Sequence, residues 1–571
     1  MAKKETLLNL NAKSEEAAFE TTARVFQTAD YIAKTNRPLS DHESLIDLQQ
    51  INGIEMGRLL HSRTVCVDII NHIATEMKKR IVNKIIDNKA KITVLVDEST
   101  TLTGNSTLII FLKAGIDGIM RPLTFPLDLI ELQSTTAAAI KGEILKCLLC
   151  CGFTKELLLE VMISFCSDSA NVMLGVKAGV GKLLQMDFPN VILWHCLNHR
   201  LELAVDEALE VTGGTNDYKA FLDALYSLYS QSPKNSHELS AHANELHIVL
   251  KKIGKIFNLR WVASTWTAVN AVWQTYPALA KHFETASQDL SRVGSECIKF
   301  QGLHSKLCSV NFIRNLSLML DVLTQLKNLS EMLQERDMTI PKADNLMQIY
   351  IKRIESLKTD PGIHSEEAQK AEQSMMFKNS KLNGAGKSPR INSSQFIQAV
   401  IDNMRTKLFT TASNKADQST REERASNYKD LINNLSVLNP EKWQENPENP
   451  HFGEKEIRAL ADQLRINQQE THLGFVEFKA SGGKNIPGKL KKLVLAVDTL
   501  AASNTDCERG FSAMNNIITV KRIVLTTRHV ADLLFISCVG PPYTQWIPMP
   551  YVKLWLGKGR RAAHSSRGMA R

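Results

Sequence analysis

Residues 91–100 read KITVLVDEST, residues 106–116 read STLIIFLKAGI and residues 120–132 read MRPLTFPLDLIEL. All three runs are short and rich in β-branched residues, and turns such as Leu102–Asn105 and Asp117–Gly118 separate them. They predict an antiparallel meander. Toward the C-terminus, Thr135–Cys151 has helical character, and Glu160–Cys166 is an apolar run suited to a buried strand. Ala170–Met186 reads as a second helix and Val191–His195 as a strand, joined through Phe188, Pro189 and Asn190. Toward the N-terminus, residues 1–90 read as a helical segment. Leu45, Leu48, Ile51 and Ile54, then Val65, Ile69, Ile73, Met77 and Ile81, recur at helical steps, with Pro38, Ser40 and Asp41 as stop and cap.

The order over residues 91–200 is therefore β-β-β-α-β-α-β, three hairpin strands followed by crossovers. This makes the fold class α/β, with a mixed sheet covered by helices. It is the ribonuclease-H-like plan. After His199 the strands stop, and residues 201–492 show mostly helical periodicity, as in Leu246–Ile256, Phe312–Leu333 and Asn345–Leu357. Such a stretch reads as a large α-helical insertion or a second domain. Within it, residues 359–394 are poor in aliphatic residues and rich in Gly, Ser, Asn, Lys and Glu, which predicts a flexible loop. Asn439–Gly453 and Ser481–Gly488 read as shorter breaks. Residues 541–571 carry Pro541, Pro542, Pro548 and Pro550 and six Lys/Arg from Lys553 onward with no acid, which predicts a loosely ordered basic tail.

The bulk properties fit this organisation. A length of 571 residues corresponds to roughly three to five structural units. With 43% apolar and 23% charged residues, the chain is neither collagen-like, nor a coiled coil, nor wholly disordered. Ten cysteines at irregular spacing argue for reduced intracellular thiols and against a disulfide scaffold. The first residues carry charges where a signal peptide needs an apolar core, and no run approaches the about 18 apolar residues that span a bilayer, so the expectation is a soluble protein with no membrane partner. The formal charge of +9, from 69 basic against 60 acidic side chains, permits a polyanionic partner without requiring one.

Two acids stand where chemistry gathers in open α/β sheets. Asp97 closes the first strand and Asp168 the fourth, and sites collect beyond the carboxyl ends of strands. Two carboxylates facing one pocket repel and raise one pKa unless a cation sits between them. Mg²⁺ or Mn²⁺ suits such a site, being hard and oxygen-seeking. Two ions about 3.5–4 Å apart would activate a nucleophile and stabilise the leaving oxygen in phosphodiester chemistry. Ser, Thr and Asn surround both aspartates, however, so cap or turn roles account for them as well.

The segment Asp506–Ser512, DCERGFS, bears on that choice. Taken with VDEST at 96–100, SDSANVM at 167–173, WHCLNHRLELAV at 194–205, LRWVAST at 259–265 and CERGFSAMNNIITVKR at 507–522, it resembles the hAT family of DNA transposases. These blocks stand in the family's order over Lys91–Cys538. The resemblance implies a ribonuclease-H-like core interrupted by a helical insertion, with the last core helix and a C-terminal dimerisation region in residues 493–540. Asp97, Asp168 and Glu508 match the family's acidic triad, which holds two catalytic Mg²⁺ or Mn²⁺ ions. Cys507, Phe511, Met514 and Ile518 form an apolar stripe that would dock the helix of Glu508 on the sheet. Glu98 competes with Asp97 for the ligand role, since strand alternation points the two in opposite directions.

Arg260 and Trp261 match the family's Arg-Trp block, where a phosphate can pair with the guanidinium and a base can stack on the indole. Trp261 and Trp266 read equally as core aromatics of a helical domain. Cys196 and His199 have ligand types at Cys-x-x-His spacing, but a zinc site needs four ligands and no second pair is evident, so a structural role is expected. Cys147, Cys150 and Cys151 read as buried thiols. Basic clusters at Lys251–Lys255, Lys489–Lys492 and Lys521–Arg522 form a DNA track only if they converge. Val530, Leu533, Leu534 and Ile536 offer apolar surface to a partner copy or cover the sheet.

Residues 1–90 contain no Cys-x-x-Cys followed by His of the kind found in the BED finger that precedes active hAT cores. Without such a reader, sequence specificity would be weak. The segment 41–91 and the ending WIPMPYVKLWLGKGRR look closest to vertebrate transposase-derived hAT-like proteins, one of which is named as an E3 SUMO-protein ligase. Nothing here resembles the zinc platform of RING-type ligases, so that activity would rest on non-covalent binding of SUMO and its conjugating enzyme. The leading expectation is a domesticated nuclear protein that forms a homodimer and binds DNA or chromatin. An active metal-dependent transposase or nuclease and a SUMO-ligase adaptor are the alternatives.

Overall fold

The structure, a computed structural model, describes the chain apart from Met1 and residues 101–103, 117, 119–120, 169, 176, 255–260, 385–388, 410–427, 445–448, 519–524 and 565–571. It describes no side chain at 2–15, 408–409, Trp261 or Gln444. The chain divides into two compact units, Met1–Trp194 with Val437–Arg571, and His195–Ser436.

The first unit is built on the expected meander. Strands β1 (Ile92–Thr100), β2 (Ser106–Ala114) and β3 (Leu123–Glu131) pair antiparallel, β4 (Met162–Ser167) runs parallel to β1, and β5 (Ile192–His195) completes a mixed sheet of order β3-β2-β1-β4-β5. Pro126 sits on the edge strand β3, beside the register shift at Ile110/Phe111. An edge is where a residue without an N–H is tolerated. Ile92–Val96 are buried without alternation, so both faces of β1 are covered.

The crossovers are α4 (Ala137–Cys150) with α5 (Lys155–Val161), then α6 (Asn171–Leu174) with α7 (Val180–Asp187). The one helix expected over 170–186 is thus two pieces. α5 occupies the start of the run read as strand, so β4 begins at Met162. The N-terminal segment is α1 (Ala2–Lys34), α2 (Asp41–Ile51) and α3 (Arg63–Asp87). The stripe read on α2 is on the wrong side: His42 and Ile46 are buried, whereas Leu48, Ile51 and Ile54 face solvent.

In the second unit the helices are α8 (Leu197–Val211), α9 (Thr215–Ser230), α10 (Pro233–Glu245), α11 (Trp261–Gln288), α12 (Gly294–Leu307), α13 (Val310–Leu333), α14 (Ile340–Ser356), α15 (Ile363–Ser374), α16 (Ser393–Phe409) and α17 (428–436). α13 is its centre, packed by α8, α11, α14 and α15. Two expectations fail here. Residues 246–254 are not helical, because α10 ends with His247 in the left-handed region at φ 53° and Ile248 N–H donating back to Ala243 O at 2.8 Å. Residues 359–394 are not a loop throughout: they hold α15 and a hairpin, β6 (Met376–Phe377) with β7 (Ser380–Lys381). The cap of α15 comes from elsewhere, since Asp321 on α13 accepts from Ser365 N–H at 2.9 Å and His364 N–H at 3.2 Å. Phe377 is buried against Trp273 and Tyr276.

Chain from 437 onward returns to the first unit, so the helical stretch expected to run to 492 is cut at Ser436. It forms α18 (Pro440–Gln444), α19 (Glu454–Gln463), α20 (Gln468–Ala480), α21 (Gly488–Thr499), α22 (Thr505–Ile517), α23 (Thr527–Val539) and α24 (Met549–Gly557). Up to His564, the tail read as loose is docked; residues 565–571 lie outside the described residues. Trp555 packs edge-on against Phe26 and His72, and Ala563 O accepts from Arg58 N–H at 2.9 Å and Leu59 N–H at 3.0 Å. Among the described residues, no single helix is long and apolar enough to cross a membrane.

Candidate acidic site at the end of the sheet

Asp97 pairs with Ile109 across β1 and β2, and Leu95 pairs with Phe111. Directly opposed residues share a face, so these four side chains lie on one side of the sheet. α22 packs on that side. A Cβ at Gly510 would stand 2.6 Å from Ile109 Cδ1 and 2.7 Å from Phe111 Cε2, closer than real Cβ contacts. The missing side chain lets the helix backbone reach the sheet, and it brings the turn that carries Glu508 onto the face of Asp97. Cys507, Phe511 and Met514 are buried as expected, but the last buried residue is Ile517 and not Ile518.

In β4, Cys166 aligns with Leu95 in parallel register. Two residues further, Asp168 follows directly on the end of β4, the strand beside β1. Glu98 pairs with Leu108 on the opposite face and accepts from the Ser106 hydroxyl, which removes it from competition with Asp97.

The three acids are partly exposed. Asp168 Oδ1 accepts from Ala170 N–H at 3.2 Å and from the Ser167 hydroxyl at 3.4 Å, the turn role that its surroundings allow. Asp97 Oδ1 accepts from Glu98 N–H at 3.1 Å. Beside Glu508, Arg509 pairs with Asp506 at 3.1 Å.

Carboxylate oxygens suit Mg²⁺ or Mn²⁺ in kind. Their spacing does not: among the described residues, no three His, Cys, Asp or Glu side chains form a group able to hold a metal ion. The fold brings β1, β4 and α22, which carry or precede the three acids, into one unit without assembling a ligand set, and no chemical step is derived through a metal.

No protein-family model matches the chain.

Other candidates fall elsewhere. Cys196 is buried at the N-cap of α8 and His199 is half-buried on that helix. Arg260 lies outside the described residues, as does the side chain of Trp261 at the start of α11. Trp266 donates through Nε1 to Thr324 Oγ at 3.1 Å and carries Lys327 over its ring at 4.5 Å, the packing of an inter-helix aromatic. Of the basic clusters, Lys255, Lys521 and Arg522 lie outside the described residues, while Lys489, Lys491 and Lys492 are exposed on α21.

Val530, Leu533, Leu534 and Ile536 are all buried within the chain, and Phe535 beside them meets Phe125 of β3 edge-on at 6.3 Å. Of the two roles open to these residues, they serve the sheet. Local pattern does not single out Lys91, Arg465 and Thr471, which meet at the other end of β1, because only the tertiary fold joins residues so far apart in sequence.

Proposed function

We propose that the chain is a ribonuclease-H-like, hAT-transposase-derived nuclear protein that binds DNA or chromatin, its acidic sheet end inherited from a phosphodiester-cutting ancestor. One observation carries the reading. The order β3-β2-β1-β4-β5 sets β1, which carries Asp97, beside β4, which Asp168 follows, and α22, which carries Glu508, packs on the face of β1 and β2 that holds Asp97 and Ile109. The ordered sequence blocks and the formal charge of +9 support it. Pairing of two copies belongs to the same reading, but the apolar residues of α23 are spent inside the chain, so a dimer would use another surface.

Anisotropy titration of labelled duplex DNA tests the binding. Expected is an affinity that falls at least about tenfold between 50 and 200 mM salt, as counterion release requires. No binding at the lower salt would end the proposal.

A further inference from the structure

At the end of β1 away from Asp97, where Ala90 and Lys91 lead into the strand and Gly115 leaves β2, the first unit encloses a cleft of about 290 Å³. Five cationic side chains line it, Lys89, Lys91, Arg465, Lys489 and Lys492, against the two carboxylates Glu160 and Glu470. Two cations are already paired, Lys89 with Glu160 at 2.9 Å and Lys489 with Glu477 at 2.8 Å. Among the described residues, Lys91 Nζ donates only to carbonyls, to Glu160 O at 2.9 Å and Arg465 O at 3.1 Å. Lys492 has no ion-pair partner among the described residues. Positive charge is therefore in excess inside a concave wall.

A second observation is independent of that charge. Thr471 lines the cleft wholly buried, and its Oγ has no hydrogen-bond partner among the described residues. Among the described residues the Arg465 Nε is buried without a partner too, although Nη1 of the same guanidinium donates to Leu159 O. Buried polar groups are almost always satisfied, and these two leave donors on one wall that an acceptor in the cleft would meet. The ligand must be an acceptor to Arg465, and an anion to offset Lys91 and Lys492. Burial, and after it the charge of Arg465, lower the Lys91 ammonium to about 8, as expected where a counter-charge is wanting.

We propose that this cleft binds a phosphate group, either free phosphate or the phosphate monoester of a small ligand. Thr471 and Arg465 supply directed donors, and Lys91 and Lys492 supply charge. The proposal is independent of the acidic end of the sheet and of DNA binding.

Calorimetric titration of the full chain with inorganic phosphate, and separately with adenosine 5′-monophosphate, tests it. Expected is saturable binding that weakens about tenfold in Thr471→Val and about threefold in Lys492→Gln, as the loss of a donor and of a charge implies. The Tm of Thr471→Val should stay level or rise, because the change removes an unpaired buried hydroxyl, so weakened binding there is not misfolding. Tighter binding of the monoester assigns the site to an ester, and equal binding to free phosphate. No saturation by about 10 mM, or an affinity unchanged when Thr471→Val and Lys492→Gln are combined, overturns the proposal. Displacement of the nucleotide by unphosphorylated duplex DNA overturns it in favour of a nucleic-acid backbone.

Discussion

Asp532 sits within α23 at 8% exposure, with Asn71 Nδ2 donating to its Oδ2 at 3.0 Å. Burial pushes its carboxyl from 3.8 up to about 7; Lys78 and Arg528 pull it down and Asp128 pushes it further up. An unfolded chain therefore releases this proton first, and folding stability falls as pH rises from about 4 to about 7, then levels off. Asp532→Asn keeps an acceptor for Asn71 and carries no charge. It should be more stable than the parent by on the order of 2 kcal/mol at pH 8 and equal to it near pH 4, measured by urea unfolding. A difference that does not change between those pH values would contradict the assignment. Asp97 and Asp168 are legible without coordinates because each closes an apolar strand run, and the two-residue alternation separates Asp97 from Glu98. Gly510 is not: nothing local marks it as the point where a helix meets Ile109 and Phe111.

α23 ends in a cap that comes from another element. Lys34, at the end of α1, donates through Nζ to Ile536 O at 3.0 Å, to Ser537 O at 2.9 Å and to Gly540 O. The last carbonyls of a helix lack intrahelical partners, and a cation there also meets the negative end of the helix dipole. Lys34→Met keeps most of the aliphatic stem and removes the donor, leaving those carbonyls without it. The expected cost is about 1–3 kcal/mol in urea unfolding. Amide exchange should quicken in the last turn of α23 before anywhere else in that helix; uniform exchange along it would contradict the role. Such remote capping also explains which elements sequence reveals. α13 and α14 carry their own periodicity and are readable, whereas α15 is mostly polar and takes its cap from Asp321, so composition alone makes it a loop. The stripe on α2 fails for a related reason, since several apolar steps fit a short helix and only its neighbours choose among them.

The first unit is assembled from two distant stretches, and each needs the other. β1 and β2 present Leu95, Ile109 and Phe111 on one face, where α22 packs through Gly510, and β3 presents Phe125, where α23 packs through Phe535. The tail closes the same unit, with Trp555 set between Phe26 and His72. This dependence is what hides the domain limits in the sequence: helical periodicity continues across 436, while allegiance changes there, because Lys91 and Leu159 of the early stretch bond to Arg465 of the late one. The strand order, by contrast, is local and legible. Residues 1–194 made alone would keep the strands and α4 but lose α21, α22 and α23 from the meander, exposing apolar surface that a folded domain buries. Such a fragment should bind a hydrophobic dye strongly and unfold without a sharp urea transition, the behaviour of a chain that has lost specific packing. Adding residues 437–571 in trans should quench the dye and restore cooperative unfolding. Residues 195–436, with α13 at their centre, should unfold cooperatively alone. A sharp transition for 1–194 by itself would show that the late helices decorate this unit instead of completing it.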